Sequence, residues 1–285
     1  MTMAVSNHYV IRGGVEGRER LRVLARVMHE TTRTLFGRLG VGEGLTCLDA
    51  GCGGGDVTLE LAGRVAPGGR VVGVDIDETK LELARREAAE LGVDNVEFRA
   101  GDIDEGDARP VYDVVYARFV LTHLVEPARA VAAFYDNLRP GGLLIVEDID
   151  ARGCFSHLES EAFARFVELY RAAVRGRGGD PDIGPRLPSL LAGGGFEGVG
   201  LNVVQPAATR GELKTLGPLT LENIADAVVQ DGLAGREEVS ALVEGLYAFA
   251  DDPRTVLGIP RVFQVWGRRP AHDGAGRRLI STIER

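Results

Sequence analysis

The sequence is poor in cysteine, has no long apolar run and carries no block of positive charge. Its three cysteines, Cys47, Cys52 and Cys154, show neither CxxC nor Cys/His ligand spacing. That excludes a disulfide framework and a thiolate zinc site, and reads as reduced thiols. No apolar stretch approaches the roughly 18 residues that span a bilayer, and the first residues lack the charged-then-apolar design of a secretory leader. The expectation is a soluble, cytoplasmic protein without membrane insertion. Lys plus Arg number 33 against 42 Asp plus Glu, a net charge of −9. A local basic patch aside, this balance disfavours tight, sequence-independent nucleic-acid binding, which draws most of its affinity from phosphate neutralisation. Internal repeats and coiled-coil heptads are missing too. What remains, 285 residues at 45% hydrophobic and 26% charged, suits one large globular domain, or one domain with an insertion.

Two patterns alternate over the first two-thirds of the chain. Short β-rich runs lie at 45–50, 70–74, 96–99, 111–117 and 143–147, and amphipathic helical stretches at 56–65, 78–91 and 127–138 separate them. Turn signals agree, with "APGGR" before the second run and "RPGG" before the fifth. Residues 17–39 read as helical behind the lead-in "YVIRGGVEGRERL". Later come a helix over about 156–174, a loose linker "RGRGGDPDIGP", and strands six and seven at 197–204 and 260–267. The residues between those two strands read as helices around 220–229 and 236–249, far more chain than a hairpin needs. The expected fold is α/β: a doubly wound, seven-stranded, mostly parallel sheet with an N-terminal helical segment and a helical insertion between the last two strands.

The stretch "LDAGCGGGD", residues 48–56, places four glycines between a strand and a helix. Such a turn brings backbone and a helix N-terminus beside a ligand. A dinucleotide fingerprint counted from Gly51 finds Gly53 in second place but Asp56 in third. That carboxylate points to where a pyrophosphate would sit, which argues against NAD or FAD. No Walker-type phosphate loop is present either.

"LDAGCGGGD" resembles the first motif of class I S-adenosylmethionine-dependent methyltransferases, an acidic residue followed by GxGxG. "VVGVDID" resembles that family's second strand, "FRAGDID" its adenine-binding turn, "YDVVYARFVLTHL" its fourth-strand motif and "LRPGGLLIVED" the entry to its fifth strand. These motifs fall in order over about 45–148, and "YVIRGG" and the last two strands fit the wider family. The resemblance implies a Rossmann-like methyltransferase fold and S-adenosylmethionine as cofactor, with S-adenosylhomocysteine as product. On this reading residues 1–40 form a helical arm or lid, 41–205 the cofactor-binding core, 206–259 a helical cap, 260–270 the last core strand and 271–285 a mobile tail. Carried over residue by residue, it implies that Asp49, Gly51, Cys52 and Gly53 meet the amino-acid end, that Asp75 takes the ribose hydroxyls, and that Asp102, after Gly101, accepts from the adenine amine. Read without it, Asp49 and Asp75 are N-caps or loop acids and Asp102 a turn-forming residue. Ile76 and Ile103 would sandwich the adenine or belong to the core. Arg118 would contact the methionine carboxylate or make a surface salt bridge. Tyr9 and Gly14 would close over the cofactor or lie in a flexible arm.

Methyl transfer needs alignment of a nucleophile with the methyl group, and a base only when the acceptor must lose a proton. His123 in "FVLTHL", on the helix after the fourth strand, is one candidate base, or a polar packing residue. Glu147, crowded by Asp148 and Asp150 with His157 further on, is another, since close carboxylates can raise one pKa. The same acids read equally as a Mg²⁺ site or as solvated side chains. "YAR" at the end of the fourth strand adds no acid to complete a ligand set, so no metal is expected. Leu216, Leu219, Ile224 and Phe249 in the insertion suggest an acceptor of modest size and mixed polarity. No NPPY-like motif marks a base or glutamine methylase. The resemblance leans to the quinone and natural-product branch, hence a small-molecule acceptor methylated at O, N or C. The alternative is a member of the fold that holds the cofactor while guiding cyclisation, decarboxylation or rearrangement; an NAD-binding oxidoreductase is a third reading. A homodimer or higher homo-oligomer stays open.

Overall fold

The computed structural model describes residues 14–104 and 111–271. Helix α1 (Gly14–Arg38) leads into β1 (Thr46–Ala50), α2 (Asp56–Val65), β2 (Arg70–Asp75), α3 (Glu78–Glu90) and β3 (Val96–Ala100). Then come β4 (Tyr112–Arg118), a single 3₁₀ turn at Leu121–His123, α4 (Pro127–Asn137) and β5 (Leu138–Asp150). The remaining elements are β6 (Phe155–His157), α5 (Glu161–Gly176), α6 (Leu187–Gly193), β7 (Glu197–Val204), β8 (Ala207–Ala208), α7 (Leu216–Gln230), α8 (Arg236–Asp251), β9 (Val256–Gly258) and β10 (Arg261–Arg268).

Seven strands form one sheet in the order β3-β2-β1-β4-β5-β10-β7. β1 to β5 pair in parallel, and β10 runs antiparallel to both β5 and β7. The strand order reverses between β1 and β4, which makes their carboxyl ends the place where open α/β sheets bind ligands. Both faces are covered, so the strands read as near-continuous apolar runs. Consecutive residues of β1 go to opposite layers: Cys47 packs with Leu35, Phe36 and Leu61 under α1 and α2, and Leu48 with Phe134 and Leu144 toward α4. α2 buries Val57, Thr58, Leu61, Ala62 and Val65 at helical spacing.

A further apolar cluster lies beyond the strand ends, where α1 (Met28), α5 (Leu169), α7 (Leu221) and α8 (Leu246) meet. The helices between β7 and β10 therefore pack against α1 and α5 and wall in the space above the sheet. Three features differ from the sequence expectation. The helix expected from 156 starts at Glu161, because Phe155–His157 pairs with β9 in a small sheet of order β6-β9-β8. Ser160 caps the helix, its Oγ accepting from Phe163 N at 3.2 Å. The "RGRGGDPDIGP" linker is tied down: Asp180 N donates to Thr122 O at 2.9 Å, and Asp182 takes Arg171 and Arg175 of α5 at 2.8 and 2.6 Å. It then runs through a 3₁₀ turn into α6, a helix that the Gly/Pro content had hidden. His123 sits in the 3₁₀ turn before α4, not on a helix. Tyr9 and the expected tail from 272 onward lie outside the described residues. Among the described residues no helix is long and apolar enough to cross a membrane.

Candidate active site

A cavity of about 900 Å³ opens over the carboxyl ends of β1, β2 and β4 and extends to α5 and α7. That volume is at the upper end for small-molecule sites. The glycine turn forms one wall. Gly51 and Gly53 adopt positive φ, 73° and 55°, and a Cβ on Gly51 would stand 2.5 Å from Val120 Cγ2, so glycine is required there. The turn uses its own donors: Gly51 N and Cys52 N both donate to Val74 O, at 2.8 and 3.0 Å, and Gly53 N donates to Asp75 Oδ2 at 2.8 Å. Asp56, opening α2, pairs with Arg18 of α1 at 2.5 Å, and Arg18 also holds Glu87 at 2.6 Å. A pyrophosphate over Gly51–Gly53 would find spent N–H groups, and the Asp56 carboxylate at the start of α2. An ammonium would find acceptors.

Those acceptors come from neighbouring strands. Asp49, buried at the end of β1, lines the cavity and accepts from Thr58 Oγ1 at 2.7 Å. Burial raises its carboxyl to about 6, against the lowering effect of Thr58 and Arg118. Asp75 ends β2 and also lines the cavity; its Oδ1 accepts from Asp77 N at 2.9 Å. Asp102 and Ile103 line it beyond β3, whereas Gly101 does not; its N–H donates to Asp75 O at 3.1 Å. Ile76 is 49% exposed, which removes it from the core and leaves it on the cavity wall. Arg118 lines the cavity from β4 with Thr32 Oγ1 at 3.4 Å, and among the described residues no carboxylate pairs with it. Burial opposes its charge, but Tyr116, Glu147 and Asp49 nearby keep the guanidinium above its ordinary value. The surface-salt-bridge alternative for Arg118 is thereby excluded. Burial holds the Cys52 thiol well above its ordinary range, so it is no nucleophile. Gly14 is the first residue of α1.

The strand-five acids are neither clustered nor solvated. Glu147 is fully buried, faces α1, and accepts from Thr32 Oγ1 at 2.7 Å, Gln264 Nε2 at 2.6 Å and the Tyr116 hydroxyl. It does not reach the cavity, which removes it as a base. Asp148 points the other way, accepting from Thr122 N and Ile149 N at 3.0 and 2.8 Å, and burial raises it to about 7. Asp150 takes Arg152 and Arg261, each at 2.7 Å. With each acid committed elsewhere, the Mg²⁺ arrangement has no ligand set. His123 does line the cavity; burial, with Arg20 and Lys80 adding, lowers its pKa to about 3. In the insertion Leu216 lines the cavity, while Leu219, Ile224 and Phe249 pack into the helical core instead. Sequence reasoning missed Arg20 on α1, Phe119 after β4, Phe163 and Phe166 on α5, and Thr220 and Asn223 on α7. Phe119 has a positive φ of 56°, uncommon outside glycine and concentrated at functional sites. No local signal in the sequence marks any of the six.

Residues 42–175 match the family model described as a methyltransferase domain. This match places residues 42–175 among methyltransferase domains, in line with the resemblance of their motifs to class I S-adenosylmethionine-dependent methyltransferases. A ubiquinone biosynthesis O-methyltransferase of Leptothrix cholodnii is 34% identical over 110 residues, 38% of this chain and 46% of that protein. A nocamycin O-methyltransferase of Saccharothrix syringae is 44% identical over 101 residues, 35% of this chain and 36% of that protein. The chain thus spans about half or less of the length of such relatives. The 4+2 cyclase SpnF superposes with a TM-score of 0.54 at 18% identity, covering 85% of this chain and 81% of that one; this likeness concerns the fold alone. The donor set of the cavity is compatible with S-adenosylmethionine. Asp49 and Arg118 suit an α-amino acid, Asp75 a diol, and Asp102 with Ile76 and Ile103 an adenine.

Proposed function

We propose that the protein is a small-molecule methyltransferase that binds S-adenosylmethionine with its amino-acid end at Asp49 and Arg118, its ribose at Asp75 and its adenine between Ile76 and Ile103. The arrangement of charge carries this reading. Two acids at adjacent strand ends flank a glycine turn in which the N–H groups of Gly51, Cys52 and Gly53 are internally committed, and a cation without a carboxylate partner among the described residues faces them. A zwitterionic amino acid needs an acceptor and a cation together, whereas a dinucleotide needs free donors.

When bound, the cofactor supplies a methyl group on a cationic sulfur that departs as a neutral thioether. The chain's own residues orient the partners and exclude water. His123, neutral at pH 7 with a pKa near 3, is a weak proton acceptor and positions the acceptor by hydrogen bonding. Such a site favours an acceptor that is already ionised or that needs no proton removed before its new bond forms. The relatives named for quinone and antibiotic O-methylation support an organic acceptor of that size. Calorimetry with S-adenosylhomocysteine tests the cofactor half; a folded protein that does not bind it sinks the reading. Release of S-adenosylhomocysteine with a panel of small hydroxylated and acidic aromatics tests the transfer. Conversion of an acceptor with the methyl donor left unconsumed would identify the non-methylating alternative.

A further inference from the structure

Past the cofactor residues the cavity is walled by Phe163, Phe166, Leu216, Leu257, Ile259 and Val262. Two polar groups interrupt this apolar lining. Arg20 of α1 donates through Nε to Thr220 Oγ1 of α7 at 2.8 Å, and the Thr220 hydroxyl itself donates to Leu216 O at 2.6 Å. Among the described residues no carboxylate pairs with Arg20. Of the two acids on α7, Glu222 accepts from the Tyr247 hydroxyl at 3.2 Å and Asp226 faces Arg236 at 3.7 Å. One turn along from Thr220, Asn223 is 92% buried on the cavity wall; its Nδ2 donates to Leu219 O at 2.7 Å, and its Oδ1 has no partner among the described residues.

Each group asks for something specific. A guanidinium anchored through Nε keeps its two terminal nitrogens for a planar, bidentate anion. A buried carbonyl oxygen without a partner asks for a donor, since leaving it bare is unfavourable. We propose that this pair selects the acceptor: a largely apolar organic acid whose anionic oxygen group lies on Arg20 and whose neighbouring hydroxyl or N–H donates to Asn223 Oδ1. This rests on the methyltransferase reading and adds the acceptor's chemical class. It also accords with the weak basicity of His123.

The test is calorimetry on protein loaded with S-adenosylhomocysteine, using 3-hydroxy-2-naphthoate, the corresponding 2-naphthamide, and 3-methoxy-2-naphthoate as probes. The acid is expected to bind about tenfold or more tightly than the amide, the range of a charge-assisted hydrogen bond. Arg20→Met removes that preference, and Thr220→Val weakens it. Asn223→Leu removes the preference for hydroxyl over methoxy. S-adenosylhomocysteine affinity stays within about threefold in all three variants, well below the change a lost charged contact would give. Equal binding of acid and amide, no saturable binding of the acid, or an acid preference that survives in Arg20→Met overturns the inference. Loss of S-adenosylhomocysteine binding in Arg20→Met also overturns it and makes Arg20 a cofactor residue. A wild-type protein that never takes up S-adenosylhomocysteine strikes the underlying reading instead.

Discussion

Replacing Asp49 by Asn isolates the charge at the end of β1. The carboxylate is 3% exposed and accepts from Thr58 Oγ1 at 2.7 Å; an Asn carbonyl can keep that bond and the side chain's shape. What disappears, on the proposed pose, is a charge-assisted contact to the cofactor's ammonium. Hydrogen bonds to charged groups contribute about 1.5–3 kcal/mol against about 1 for neutral ones, so Asp49→Asn should weaken S-adenosylhomocysteine binding roughly 2- to 30-fold. The pH dependence is the sharper signature. Burial raises Asp49 to about 6 in the free protein, and an ammonium beside it favours the ionised form. Below pH 6 the ligand must therefore displace a proton, and affinity should fall up to about tenfold per pH unit. Above about pH 7 it should be flat. Calorimetry in two buffers of different ionisation enthalpy, between about pH 5 and 8, would show nearly one proton released at the acid end by the wild type and none by Asp49→Asn. Equal affinities, or a wild-type curve no steeper than the variant's, would refute the assignment of Asp49 to the ammonium.

Asp75→Asn should cost about 1–3 kcal/mol of S-adenosylhomocysteine binding; unchanged affinity in a variant shown folded by circular dichroism removes the ribose assignment. Asp148, raised to about 7 by burial from about 4 in an unfolded chain, contributes stability that is complete below about pH 4 and lost as pH rises through 7. Thermal melts at about pH 5 and 8 should therefore show Asp148→Asn gaining on the wild type by about 2–4 kcal/mol at the higher pH, and a constant gap would contradict this. Glu147→Gln sets an amide against the donors of Thr32, Tyr116 and Gln264. It should lower stability by about 1–3 kcal/mol with little change in cofactor affinity. Lost turnover at unchanged melting temperature would restore Glu147 as the base.

Much of the core was legible because its signals are local. Runs such as 143–146 are apolar without interruption, α2 repeats at helical spacing, and the glycine turn announces itself. The failures were of direction and of distance. "EDID" crowds three acids on paper, yet the pleat of β5 sends Glu147 under α1 and Asp148 to the opposite layer, while Asp150 leaves for two arginines. The β6-β9-β8 sheet joins residues a hundred positions apart, Phe155 to Gly258, and a three-residue strand has no periodicity to read. α6 was hidden by the Gly/Pro content that precedes it.

The alternation of the main sheet's strands with helices α2 to α4, the glycines whose positive φ shapes the turn after β1, and the acids at the ends of β1 and β2 were determined by the sequence itself. They depend on neighbours within a few residues, and backbone sterics and side-chain period suffice to read them. Only the tertiary structure decided what lines the far part of the cavity. Arg20 meets Thr220 across 200 positions, and that contact exists because α1 and α7 bury a shared apolar seam. Packing of that kind is a property of two surfaces together, and neither segment carries it alone.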